Sequence, residues 1–280
     1  MNVLNQFFST IEKSIRPATL PIAIKMLKSE RDIPSDIKRP GRDFGIRLLP
    51  CQAFYLSRKH GIPVAMLRED FNTEQCPVGS IAFGVAPPID WWSRGNVAHE
   101  VYTKTLKAAE TMEKNLFRFK YGKYVGFVTA PLDKVNFDPD MILLYCNSAQ
   151  AMSLVSASRY EDGLPLNTRI SARAVCSDSV VQTIQTGRCH VSIPCGGDRA
   201  LAFAGAEEIV FTAPVNKLRT IIEGLESLPR TRAPAIFGLL GKRISIMDRK
   251  YMELARLIEK QAESKKFAKF SRKLRHRPEE

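Results

Sequence analysis

The sequence contains no apolar run of the roughly 18 residues that a membrane-spanning helix requires. Its longest apolar stretches, such as Ile142 to Cys146, have the length of strands. At the N-terminus no cationic start precedes an apolar core, and Glu12 and Lys13 interrupt the sequence before a signal-peptide core is complete, so a reducing cytoplasm is the expected compartment. Several catalytic and binding signatures are also missing. There is no GxxxxGK[ST] phosphate loop, no GxGxxG after a strand and no HExxH, and Gly238 to Lys242 is too short to cradle a phosphate. Histidine is scarce: His60, His99, His190 and His276 have no ligand spacing, and no Cys–His–acid arrangement emerges from their order. The absence of a zinc finger, an RNP-like aromatic strand and a GxxG loop between helices argues against specific nucleic-acid recognition.

What is present is an ordinary globular composition, 44% hydrophobic and 25% charged over 280 residues, with six cysteines and a formal charge of +13. The charge is concentrated at one end. Between Ser264 and Arg277 seven Lys or Arg occur with no acid, so about half of the net charge belongs to this short segment. Phe267, Phe270 and Leu274 would share one face of a helix there, which suits docking on an acidic partner or packing on the parent domain or a sister subunit. A homo-oligomer or a partner protein engaged through this C-terminal basic helix is the expected assembly.

Hydrophobic periodicity gives an amphipathic helix from Val3 to Ile15, a strand from Pro21 to Leu27 and an exposed loop over residues 28–43. A helix follows from Pro50 to His60, with proline at its start and Gly61 past its end, and then a strand from Pro63 to Leu67. Trp91 and Trp92 lie in a proline-rich stretch and would act as a lid or partner contact, or as a plug over the core. The spacing of Val101, Tyr102, Leu106, Ala109 and Met112 predicts one long helix from Val97 to Phe117. Strands follow at Tyr124 to Thr129 and Met141 to Cys146. From Pro214 onward the sequence reads as helical: Leu218 to Leu225, Ala235 to Leu240, and a long helix from about Ile246. The expected fold is α/β or α+β, with a sheet domain over residues 1–230 and a helical extension over 231–280.

The chain also repeats its own architecture. In the first half Cys51 opens a helix ending at Gly61, a strand follows, and Cys76 then leads through a glycine-containing turn to Ala82 and Phe83. In the second half Cys176 precedes a helical stretch ending at Gly187, a strand from Cys189 to Ile193 follows, and Cys195 leads through Gly196 and Gly197 to Ala202 and Phe203. The intervals differ, with 24 residues between the first pair of cysteines and 18 between the second. Two halves related by a pseudo-two-fold axis would bring Cys51, Cys76, Cys176 and Cys195 to one locus. Each stands at a helix start or strand end, where a helix N-terminus favours the thiolate that metals require. Four thiolates suit zinc or an iron–sulfur cluster. Zinc sites usually draw on short C-x2-C knuckles, absent here, whereas single cysteines on separate loops suit a [4Fe–4S] cluster. The plainer alternative is that all four are small buried hydrophobes. Cys146 and Cys189 fall on apolar strand patterns and are read as core.

Six short motifs in order carry a resemblance. These are Pro21 to Lys25; Cys51 with Gln52; Cys76 to Gly79 with Phe83 and Gly84; Ala149 to Met152; Cys176; and Cys195 to Arg199, followed by Glu207, Glu208 and Pro214. Over residues 18–222 the chain resembles the uncharacterised ArCR family, domain of unknown function 169. The resemblance implies no established reaction. It implies an origin largely among archaea and anaerobic bacteria, and recurring cysteines at Cys51, Cys76, Cys176 and Cys195.

If all four thiolates bind iron, the expected work is electron transfer or support of a partner enzyme in anaerobic metabolism. If three do, the open iron is a Lewis acid for a substrate carboxylate or hydroxyl. Arg199 is then the candidate clamp for the substrate, with Gln52 and Gln150 as polar residues for the same cleft. The competing expectation is a non-catalytic accessory module that docks an acidic partner through the basic helix.

Overall fold

The computed structural model describes residues 3–228, 250–258 and 260–261, and the chain divides into two units, Met1–Pro229 and Arg230–Glu280. In the first unit the elements run α1 (Val3–Ser14), β1 (Ile22–Leu27), α2 (Pro50–His60), β2 (Val64–Leu67), α3 (Pro77–Ala82), α4 (Asp90–Ser93), α5 (Leu106–Lys114) and β3 (Gly126–Pro131). They continue with β4 (Met141–Cys146), α6 (Ser148–Ser158), a π-helical turn (Ser177–Val181) that leads directly into α7 (Gln182–Thr186), β5 (His190–Ser192), α8 (Gly196–Ala202), β6 (Ile209–Pro214) and α9 (Leu218–Ser227). In the second unit residues 250–258 are helical. The helix expected at 235–240 and the basic segment from Ser264 lie outside the described residues. Among the described residues no helix is long and apolar enough to cross a membrane.

Local chemistry sets most boundaries. Pro50 occupies the first turn of α2, where its missing N–H leaves no orphan donor, and Gly61 ends the helix in the left-handed region at φ +67°. Asn147 caps α6 by accepting from the Gln150 N–H, while the Gln150 Oε1 accepts in turn from the Asn147 N–H. The long helix expected from Val97 to Phe117 is instead a short one. Turns occupy residues 94–105, and α5 begins only after Thr105, whose hydroxyl caps the Ala108 N–H. Val101 and Tyr102, which fit the helical spacing, are therefore exposed on a loop. Trp92 is a plug in the core, and Trp91 faces solvent.

The six strands form one antiparallel sheet in the order β2-β3-β1-β4-β6-β5, which makes the fold α+β. Alternation along the strands gives each face its own core. Ile22, Ile24, Met66, Phe127, Met141, Leu143 and Val210 pack with residues of α2, α3 and the π-helical turn. Ala23, Ile142, Leu144, Phe211 and Ala213 pack on the other side with α1, α6 and α9. Cys146 and Cys189 belong to this second core, as their strand patterns predicted.

The strand order is a palindrome of two equivalent halves. β1 and β4 meet at the centre, with Ala23 opposite Ile142 and Ile22 and Ile24 opposite Leu143 and Met141. Outward from that pair, β3 and β6 occupy equivalent places, followed by β2 and β5 at the edges. In each half helical segments, α2 in the first and α6 and α7 in the second, link strands that are parallel to one another, with a third strand inserted antiparallel between them, a split βαβ arrangement. The inserted strands end alike, in Thr129-Ala130-Pro131 and Thr212-Ala213-Pro214.

Candidate functional site

The equivalent halves carry equivalent cysteines. Cys51 is in the first turn of α2, and Cys176 stands at the start of the π-helical turn that leads into α7. Nine residues lie between Cys51 and Gly61 and ten between Cys176 and Gly187. The π-helical turn absorbs the extra residue, so both helices reach a left-handed glycine three residues before their edge strand. Cys76 caps α3 through its sulfur, and Cys195 occupies the N-cap position of α8 without a side-chain capping bond. All four side chains line one cavity of about 330 Å³, a volume within the range of small-molecule sites. The rest of its wall is largely apolar, including Leu49, Pro50, Val78, Val97, Val101 and Val175.

The helix starts do not turn these thiols into thiolates. Burial is the largest influence on Cys51, Cys76 and Cys176, and it holds each thiol above the ordinary cysteine range. Mutual repulsion adds to burial. A charge on Cys51 would be opposed by charges on Cys195 and Cys76, and one on Cys176 by charges on Cys76, Cys195 and Cys51. Without a cation in the cavity, these three groups are neutral at pH 7. The Gly79 N–H donates to the Cys76 Sγ at 3.3 Å, and a Cβ at residue 79 would crowd the sulfur at 3.0 Å. Among the described residues no group of three or more His, Cys, Asp or Glu could hold a metal ion as the side chains stand.

Two polar groups border the site. Arg173 lines the cavity, gives Nη2 to Glu113 Oε1 at 3.1 Å and stacks on the Tyr102 ring at 4.4 Å. Asp198 is fully buried within electrostatic reach of Cys51 and accepts from the Tyr145 hydroxyl at 2.9 Å, while its Oδ1 has no partner. Burial pushes its carboxyl up to about 7, against the opposing pull of the Tyr145 hydrogen bond and the Arg58 charge. Arg58 lies over the Tyr145 ring at 3.8 Å and pairs with Glu208 at 2.8 Å.

The three residues expected to bind substrate have other partners, and none of them lines the cavity. Gln52 accepts from the Leu49 N–H and donates to the Leu201 carbonyl, fastening two cysteine-bearing helices, α2 and α8, to each other. Arg199 donates to the Gly205 carbonyl and closes the turn after α8. Gln150 donates to the carbonyls of Ile15 and Arg16, which ties α6 to the end of α1. His190 is buried on β5, bonded to the Thr186 hydroxyl, and burial lowers its pKa to about 4.

Sequence reasoning missed Arg173, Val97, Val101 and Tyr102 as wall residues. The available signal was Thr105, a good N-cap that removes residues 97–104 from the helix. A family model described as uncharacterised ArCR matches residues 10–224.

The chain belongs to the ArCR family.

The match covers the palindromic sheet and all four cavity cysteines, so the site lies inside the ArCR domain. An uncharacterised protein of Methanocaldococcus jannaschii is 26% identical over 215 residues, covering 73% of this chain and 86% of that protein. No solved structure matches the chain.

Proposed function

We propose that this ArCR protein is an iron–sulfur protein in which Cys51, Cys76, Cys176 and Cys195 hold a [4Fe–4S] cluster used for electron transfer, alone or as an enzyme subunit of anaerobic metabolism. The observation that carries the reading is that two symmetry-equivalent pairs of cysteines line one cavity. A single zinc ion would draw its sulfurs to roughly 3.8 Å from one another, given tetrahedral Zn–S bonds of about 2.3 Å. Cluster cysteines each take a different iron and stand farther apart, as befits thiols delivered by four separate helix starts. The cavity is also too large to be filled by one ion.

The raised thiol pKa values fit this role. Four thiolates facing one cavity with no cation would repel one another, so loading releases protons and the metal supplies the charge that stabilises the deprotonated ligands. When bound, the cluster supplies a one-electron couple. The protein's own contributions are the Gly79 N–H on the Cys76 sulfur and the apolar wall that limits water, both of which shape the potential of a cluster.

Iron and acid-labile sulfide measured after anaerobic reconstitution test the proposal. Cys51→Ser, Cys76→Ser, Cys176→Ser and Cys195→Ser should each lower both. Cys146→Ser and Cys189→Ser, on the opposite core, should not. Equal iron in all six variants would refute the ligand set.

A further inference from the structure

The cavity wall contains a group that the cysteines do not explain. Arg173 has a side chain only 8% exposed, its Nε is buried without a partner, and its side-chain hydrogen bonds are confined to Nη2. A guanidinium carries five N–H donors, so one bond to Glu113 leaves most of its capacity unused. No Asp or Glu lines the cavity with it. Beside it, Val97, Val101 and Tyr102 add apolar and aromatic surface from the 94–105 loop, and Val101 and Tyr102 are exposed at 70% and 48%. The guanidinium and the loop that carries it are both fixed. Tyr102 stacks on it, and Asp178 accepts from the N–H groups of Ser171 and Ala172, which fixes the loop carrying it.

We infer that the cavity binds a small organic carboxylate, with Arg173 taking the carboxylate and Val97, Val101 and Tyr102 contacting its apolar body. An arginine with free donors in an otherwise apolar concave site selects a planar, bidentate anion with a hydrophobic remainder. Inorganic anions lack the remainder, and neutral amides lack the charge. This inference goes beyond the cluster reading and does not require it.

The test uses the full chain, metal-free and after anaerobic reconstitution, titrated with benzoate and with benzamide by calorimetry. Benzoate should bind at least tenfold more tightly than benzamide in one or both forms. Arg173→Lys should retain part of that preference. Because removing Arg173 alone leaves Glu113 buried and unpaired, the neutral pair Glu113→Gln with Arg173→Gln serves as the folded control, checked by thermal melting. It should lose the preference for benzoate. Equal affinity for benzoate and benzamide, no benzoate binding in either form, or wild-type benzoate binding in the neutral pair would each overturn the inference. Iron content measured on the same samples bears on the cluster alone.

Discussion

Ala23 and Ile142 face each other across the central strands β1 and β4, and the sheet reads the same outward from that pair in both directions. The relationship explains how cysteines as far apart as Cys51 and Cys195 reach one cavity. Each half delivers one thiol from the helical segment that precedes its edge strand and one from the short helix after that strand. The unequal sequence intervals are absorbed locally, by the π-helical turn at Ser177–Val181 and by the longer link between β2 and Cys76. Four cysteines brought together by two equivalent halves need no knuckle motif.

The pairing of β2 with β3 requires close backbone approach at one glycine. A Cβ on Gly126 would stand 1.9 Å from the Met66 carbonyl oxygen, where backbone has to move. Gly126→Ala should cost more than about 3 kcal/mol, which in a unit of this size lowers the melting temperature by roughly 10 °C. Thermal denaturation followed by circular dichroism checks this.

Gly197 presents the opposite case. It lines the cavity in the first turn of α8, and a Cβ there meets nothing within 4 Å. Gly197→Ala should leave stability unchanged or raise it by up to about 1 kcal/mol through helix propensity. The added methyl enters the cavity wall, so iron retained after reconstitution should fall. A destabilised variant with full iron content would contradict the assignment of this wall to the site.

Two buried groups give opposite pH dependences that partly cancel. Asp198 has a folded pKa of about 7, above its unfolded value near 3.8, so its contribution is lost as pH rises from about 4 to 7. His190 has a folded pKa of about 4, below its unfolded value near 6.5, so its contribution is lost as pH falls from about 6.5 to 4. Asp198→Asn removes the first and leaves the second. Relative to wild type, the stability of that variant should rise with pH between 4 and 7, by at most about 1.4 kcal/mol per unit. Urea denaturation at pH 4.5 and 6.5 measures the difference, and a variant whose difference from wild type is constant would show that Asp198 is not buried as described.

Much of this was legible from residue order alone. The recurrence of Cys, helix, Gly, strand and Cys is visible because glycine and proline mark boundaries by backbone geometry, which survives changes in side chain. The separation of Cys146 and Cys189 from the site was legible for a related reason, since strand alternation assigns faces. What remained hidden depended on tertiary placement. Val101 and Tyr102 satisfy helical periodicity by coincidence, and only the Thr105 cap betrays the loop. The side-chain amides of Gln52 and Gln150 look available in sequence, yet carbonyls distant in the chain take them. The expectation that helix starts would lower the thiol pKa values failed because desolvation in an apolar cavity outweighs a dipole effect that falls off within one turn.

The most direct measurement is electron paramagnetic resonance of the full chain, purified and reconstituted without oxygen, together with its visible spectrum and iron content. The account predicts a brown protein with about four iron and four sulfide per chain, as the cluster composition requires, whose absorption bleaches on reduction with dithionite while a paramagnetic signal appears. A colourless protein that retains no iron after reconstitution would contradict it.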